Sequence, residues 1–409
     1  MGARDNRTAS GSERVRAATC GPRRVRPTRS LPLAVLLCAL FAPAVVWAQA
    51  SDRVEQLKRA ASLVGSNRLD EAERQLNQLL RESPEEARAL NLLGALRAKQ
   101  GRLDEVEALF TRALRGDARL VGAHMNLAYL HLLRREPEKS AARLREVLRL
   151  EPANAEAAQR LAWLLLSQNR FDECIALVAS LKETQPPSAP LLALAGDAYL
   201  KKGDRAAALA SFKKAAELNP SEPSYHFSIG SAWLRYPPDV DEAERAFRQF
   251  LKLRPGDVQG QVHLGYVLLK QSRLAEARAA LEPSARGGAA TAEVFYYLGL
   301  IAQEEGEDAR AVGLFEQSVR QAPTFVHAHV ALGAAFLKLK DYPRAQRALE
   351  AAVRLSPEEP KAHYNLALLY ARLGQPERAQ KEMRIVERLK NQGKELTDEG
   401  DEVAPPRPR

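Results

Sequence analysis

One small side chain returns at a fixed interval through most of the chain. Gly or Ala stands at 60, 94, 128, 162, 196, 230, 265, 299, 333 and 367, always 34 residues apart except for one step of 35. A second small residue follows twelve later (thirteen in the sixth unit): Ala72, Val106, Ser140, Cys174, Ala208, Ala243, Ala277, Ala311, Ala345 and Ala379. Four further on, on the same face of a helix, stand the apolar residues Leu76, Phe110, Leu144, Val178, Phe212, Phe247, Leu281, Phe315, Leu349 and Met383. Self-similarity at this period signals a chain built by stacking units rather than by enlarging one core. Units therefore begin at 53, 87, 121, 155, 189, 223, 258, 292, 326 and 360, and ten of them run to Gly393 with no linker.

Residues 189–222 show the unit most clearly. Leu192, Ala195, Gly196 and Tyr199 lie on a first short helix, and Gly203-Asp204 interrupts it. Ala208, Phe212 and Ala215 lie on a second helix, which Asn219-Pro220 stops. Pro84, Pro152, Pro186, Pro220, Pro255, Pro323 and Pro357 close seven units at the thirty-second position, where proline cannot continue a helix. Ala118 and Ala289 replace that proline in units two and seven, which predicts a looser bend there. Gln56 and Arg59 make unit one polar early, as a terminal cap would be.

This register resembles the tetratricopeptide repeat family, whose pattern has a large residue at position 4, Leu-Gly at 7 and 8, Tyr at 11, Ala at 20, Phe at 24 and Pro at 32. The resemblance covers residues 53–393. It implies an all-α, right-handed superhelical solenoid of about ten helix-turn-helix repeats, with the first helices lining a concave groove. Family geometry puts positions 2, 5, 6, 9, 12 and 13 on that face. Here they include Met125, Asn126, Tyr129, Arg160, Trp163, Asp197, Phe227, His263, Tyr266, Tyr296, Tyr297, Lys361, Tyr364 and Asn365. Aromatic side chains on a surface rich in charge suit an apolar or amphipathic peptide or a partner helix; the alternative is that many of them pack between neighbouring units. Some family members hold a carboxylate terminus in a five-residue clamp. Asn126 and Arg160 match it, but Asn91, Ala95 and Glu156 occupy the other positions, so the clamp is not expected. The asparagine ladder of the sugar-transferase relatives is reduced to Asn126 and Asn365.

Enzymatic chemistry is not expected. The chain lacks HExxH, GxSxG, GxxxxGK[ST] and GxGxxG. His124, His131, His226, His263, His327, His329 and His363 are scattered, and no Cys/His zinc spacing occurs. Cys174 stands where other units carry a buried alanine, so it reads as inert packing. No cofactor, metal or small-molecule substrate is implied. The net charge of +10 is concentrated in residues 1–48, which carry +6 and leave +4 for the remainder with both signs interspersed. No basic-aromatic block suggests nucleic acid.

The N-terminus reads as an address. An apolar run over 31–47 follows Arg23-Arg24-Val25-Arg26, and Val46-Trp47-Ala48 offers a cleavage site, with a second after Ala50. Residues 1–48 are thus expected to be a secretory signal with a long basic front, explained by a start further downstream or by a twin-arginine signal. An uncleaved anchor is the alternative, and only then would the chain contact a membrane. Residues 394–409 are acidic and proline-rich and read as a disordered tail. Together these features lead to an exported, periplasmic or secreted protein-interaction scaffold. Envelope assembly, secretion or polysaccharide export is its expected setting, with an accessory subunit of a membrane-bound glycan synthase as the alternative.

Overall fold

A computed structural model describes residues 52–181, 187–235, 237–286 and 290–391. The expected leader and tail lie outside them. Every regular element among the described residues is a helix. The chain divides into two compact units, Met1–Gly116 and Asp117–Arg409, and the division falls at the closing turn where Ala118 replaces proline.

The first unit holds α1 (52–65), α2 (Leu69–Glu82), α3 (Ala87–Lys99) and α4 (Leu103–Gly116). The second runs α5 (Val121–Leu133), α6 (Pro137–Leu150), α7 (Ala155–Ser167), α8 (Phe171–Leu181), α9 (Ala189–Lys201), α10 (Arg205–Leu218), α11 (Pro223–Trp233) and α12 (Val240–Leu253). It continues with α13 (Val258–Lys270), α14 (Leu274–Arg286), α15 (Ala292–Glu304), α16 (Asp308–Gln321), α17 (Val326–Lys338), α18 (Tyr342–Leu355), α19 (Pro360–Arg372) and α20 (Pro376–Asn391). Odd and even helices alternate as the two arms of successive hairpins.

The turn inside each hairpin is made by one residue of left-handed backbone. Asn67, Gly101, Arg135, Asn169, Gly203, Ser272, Gly306, Lys340 and Gly374 all have φ between 58° and 85°, and all are the fifteenth residue of their unit. The next residue's N–H then reaches back five residues to the first helix, as in Asp204 N–H to Tyr199 O (3.0 Å) and Asp341 N–H to Phe336 O (2.9 Å). This is the double closure that satisfies orphan carbonyls at a helix end. The sixth unit, one residue longer, closes instead with Asp239 N–H on Trp233 O at 2.9 Å. Asp204, Asp239 and Asp341 then cap the second helices, each accepting an N–H three residues on.

The two small positions do different work. The twentieth residue is fully buried in the first nine units. At the eighth position, a β-carbon added to glycine would fall on the twenty-fourth residue of its own unit. It would lie 2.5 Å from Phe110 at Gly94, 2.6 Å from Phe212 at Gly196 and 2.5 Å from Phe315 at Gly299. Helix-to-helix approach is therefore a ring seated on a bare backbone, each such burial being worth about 2–3 kcal/mol. All four phenylalanines at position 24 sit over glycine; the units with alanine at position 8 carry Leu76, Leu144, Val178 or Met383. In the last unit Met383 is exposed.

Four of the histidines share one register. His124, His226, His329 and His363 are the fourth residue of their units. Nε2 of His124 lies 3.0 Å from Ala118 O, and those of His329 and His363 lie 2.9 Å from Pro323 O and Pro357 O. His226 faces Pro220 O in the same way. In unit seven Gln261 Nε2 donates to Pro255 O at 3.0 Å. Each ties the first helix to the carbonyl of the preceding closing turn, a backbone acceptor that would otherwise lack a partner.

Candidate partner-binding groove

The second unit carries a concavity of about 650 Å³ across three successive first helices, α7, α9 and α11, with Leu132 of α5 at its edge. Helix α7 contributes Glu156, Gln159, Arg160 and Trp163; α9 contributes Pro190, Ala193, Leu194 and Asp197; Glu222, Ser224 and Tyr225 come from the start of α11. These side chains converge because they occupy equivalent faces of helices that begin at the same point of each repeat. Trp163 is 55% exposed, which is unusual for so large an apolar side chain, and Tyr129 one repeat earlier, also at position 9, is 54% exposed. Leu133, one turn beyond Tyr129 on α5, is 53% exposed.

The polar groups of the concavity are locally organised. Arg160 donates to Glu156 one turn earlier, with Nε at 2.9 Å and Nη2 at 2.8 Å. Glu222 accepts from Ser224 N–H at 3.2 Å and from its hydroxyl at 2.7 Å. Burial, and secondarily the Glu222 charge, pushes the Tyr225 phenol upward. The Cys174 thiol behind α9 is raised to about 11 by burial, with the Asp197 charge adding to it. Cys174 has no exposed surface, in keeping with the packing role read from its position.

Of the residues singled out from the sequence, Arg160, Trp163 and Asp197 meet in this concavity. Tyr129 is exposed beyond it, and Tyr364 is exposed on α19 with Leu368 one turn on. Met125 and Asn126 on α5, Tyr266 on α13, and Lys361 and Asn365 on α19 are half-buried. Met125 packs against the core, and Asn365 donates to Lys361 O at 2.9 Å.

Four are corrected: Phe227, His263, Tyr296 and Tyr297 are buried and cannot present themselves to a partner. Phe227 packs edge-on to Phe247, Phe250 and His263 at centroid distances of 5.6, 5.2 and 4.7 Å. Tyr296 meets Tyr297 at 5.1 Å and Phe325 at 5.2 Å. For Phe227 and His263 the close approach is at Gly260, where an added β-carbon would strike Phe250 at 2.5 Å. Without a side chain there, α13 closes on α12, and these two rings become core.

The reading of positions had no place for Glu222 or Tyr225, which are residues 34 and 3 of their units. Leu132, Gln159, Pro190 and Ser224 occupied groove positions but were passed over for aromatic and charged neighbours. Among the described residues, no group of three or more His, Cys, Asp or Glu could hold a metal ion, and no helix is long and apolar enough to cross a membrane.

An array of helical hairpins, closed at one left-handed residue and packed ring against glycine, defines a repeat scaffold. The chain belongs to the tetratricopeptide repeat family. One tetratricopeptide model matches residues 57–121, 239–289, 267–324 and 330–392; a second matches 132–198 and a third 196–235. Curated protein sequences yield no match. Similar solved structures include the APC/C hetero-tetramer Cut9–Hcn1, with 16% identity over 85% of this chain and 82% of that chain and a TM-score of 0.48. Pseudomonas aeruginosa pilF is 19% identical over 49% of this chain and 91% of that chain, at 0.44. The human IFIT1 dimer with m7Gppp-AAAA is 21% identical over 69% of this chain and 72% of that chain, at 0.41. The likeness in each case is one of helical-repeat fold. Repeats of this family make a protein-interaction scaffold.

Proposed function

We propose that the chain is a non-enzymatic scaffold that holds a peptide segment or partner helix in the concavity of α7, α9 and α11. The observation that carries this reading is the pair Tyr129 and Trp163, solvent-exposed at the same position of adjacent repeats beside that concavity. Rigid aromatic surface left in water is costly unless something covers it. A photo-crosslinking side chain placed at 163 in living cells tests the proposal. A discrete crosslinked protein should appear that is missing when the label sits at exposed Glu217 on α10. Equal labelling from both positions would count against a groove.

The apolar lining of the concavity, with three carboxylates against one guanidinium, favours a protein over a nucleic-acid partner. The basic and apolar residues of 1–48 support export, with a role in envelope assembly, secretion or polysaccharide export. The same residues, if uncleaved, would tether an accessory subunit to a membrane enzyme complex such as a glycan synthase. The mass of the mature chain separates the two. A start near Gln49 or Ser51 supports export, and an intact N-terminus supports the tether.

A further inference from the structure

In a repeat array, one junction shows what belongs on the equivalent face of another. From the sixth unit to the ninth, the fifth residue is buried: Phe227, Val262, Tyr296 and Val330. The following unit contributes to that burial. Phe227 meets His263 of unit seven at 4.7 Å, Tyr296 meets Phe325, the residue just before α17, at 5.2 Å, and Val330 clusters with Ala362 on α19. Position 24 is buried in the first nine units, and Phe247 meets the same His263 at 5.1 Å. In unit ten the equivalents open. Tyr364 is 44% exposed, Met383 is 36% exposed, and Ala379 at position 20 is only half-buried. A polar contact of the junction has its counterpart here too. Gln168, Lys202 and Gln271, each at position 14, reach the carboxylate at position 18 of the preceding unit: Glu138 at 2.8 Å, Asp172, and Asp241 at 2.7 Å, allowing for the extra residue of unit six. The same position of unit ten is Glu377, exposed in the first turn of α20.

We propose that this end face of α19 and α20 docks an amphipathic helix of a partner protein, laid where the first helix of a further unit would lie. The face is separate from the concavity of α7, α9 and α11. The first helices that fill the equivalent place elsewhere state the chemistry of the occupant. Position 3 is small, as Ala328 and Ala362 are, because the preceding second helix presses on it; at Gly260 that neighbour is Phe250. Position 7 is leucine in Leu332 and Leu366, and position 10 is apolar in Ile301 and Leu369, all buried. The partner helix thus carries a small residue, a leucine four later, an apolar residue three further on and a lysine or glutamine four beyond that. These spacings fall on one face of a helix. The apolar stripe covers Tyr364 and Met383, and the last residue reaches Glu377, the mode in which a helix is read by its anchors. Residues 392–409 do not supply the stripe, since Leu396, Val403 and Ala404 are their only apolar side chains besides proline.

A synthetic fluorescein-labelled helix tests the proposal. It has about 20 residues, enough to be helical alone, with Ala, Leu, Ile and Lys at the four spacings on a polar background. Titrated with the full chain, it should bind saturably, and a version with Ser for Leu and Ile should not. M383E, a change at a side chain already in contact with water, should weaken binding about tenfold by setting a carboxylate against the apolar stripe. E377K should weaken it about threefold, the scale of an exposed ion pair. A probe with Glu in place of Lys should bind E377K more tightly than it binds wild type, a reversal that a damaged fold cannot produce. No binding beyond the Ser version, or equal affinity of wild type and M383E, overturns the proposal. So does loss of binding with W163A but not M383E, which places the probe in the concavity. A rise in affinity on removing residues 394–409 assigns the face to this chain's own C-terminal segment. A dimer that forms without the probe and is dissolved by M383E assigns it to a second copy, and either result overturns the partner helix.

Discussion

Gly196→Ala isolates the contact on which each hairpin is built. A β-carbon at 196 would lie 2.6, 2.8 and 2.9 Å from three ring carbons of Phe212, where ordinary contact begins at 3.4 Å. The ring must retreat by several tenths of an ångström, and it is fully buried. Overpacking of this kind costs about 1–3 kcal/mol. Replacing a mid-helix glycine by alanine returns about 1 kcal/mol of helix propensity, so the net expected loss is about 1 kcal/mol. Phe212→Leu alone should cost about 1–2 kcal/mol through the space it leaves. The double variant installs the combination that units one and three already use, Ala60 with Leu76 and Ala128 with Leu144. It should recover most of both losses, a favourable coupling of about 1–2 kcal/mol. The measurement is urea unfolding followed by far-ultraviolet circular dichroism, with hydrogen exchange of 189–218 as the local readout, since stacked repeats need not unfold as one. Additive single and double variants would refute the argument, as would a Gly196→Ala protein stabilised by the full propensity gain.

Arg135, Ser272 and Lys340 hold left-handed backbone without being glycine, so each change to glycine should stabilise by about 0.5–1 kcal/mol, read as a rise in the unfolding midpoint. Glu73 accepts from Arg97 at 2.7 Å and Gln100 at 3.1 Å, and these bonds lower its carboxyl to about 2. Its contribution is therefore complete above the unfolded value near 4.5 and is lost as pH falls toward 2; E73Q should remove about 1–2 kcal/mol of that acid-labile stability, after discount for its partial exposure. His226 has its pKa lowered by burial, against the opposing pull of the Pro220 carbonyl. The unfolded chain then takes up the proton first, so stability should decline as pH drops below about 6.5, and H226Q, copying Gln261, should flatten that slope. The thiol of Cys174 should resist an aromatic disulfide reagent in the folded chain and react on denaturation; fast native reaction would contradict its burial.

The hairpin architecture was legible because its determinants are local and repeat ten times. Period, small residues and closing prolines each recur at fixed spacing, so one unit checks another. Two layers of that register escaped notice. The left-handed residue at position 15 is glycine in only four units, and Arg135 or Lys340 does not advertise a turn by its chemistry. The histidines looked scattered when counted along the chain, yet four align once numbered within units. The groove was less legible for a different reason. Whether a ring at position 5 or 6 meets solvent depends on how closely the next hairpin approaches. Gly260 bears on Phe227 from another helix and on His263 from its own, whereas the exposed Tyr129 and Trp163 stand at position 9, which the register had counted as equal to positions 5 and 6.

The ring at position 24 and the position-8 glycine it covers lie sixteen or seventeen residues apart within one repeat, whereas Phe250 over Gly260 joins two neighbouring repeats. Lock and key are thus inherited together. Copying, deleting or exchanging a whole repeat moves a matched pair, whereas a crossover inside the hairpin can set phenylalanine against alanine and spoil both parents. Gene rearrangement in such a chain should leave its seams between units. The number of repeats can then drift more freely than the residues that hold any one of them shut.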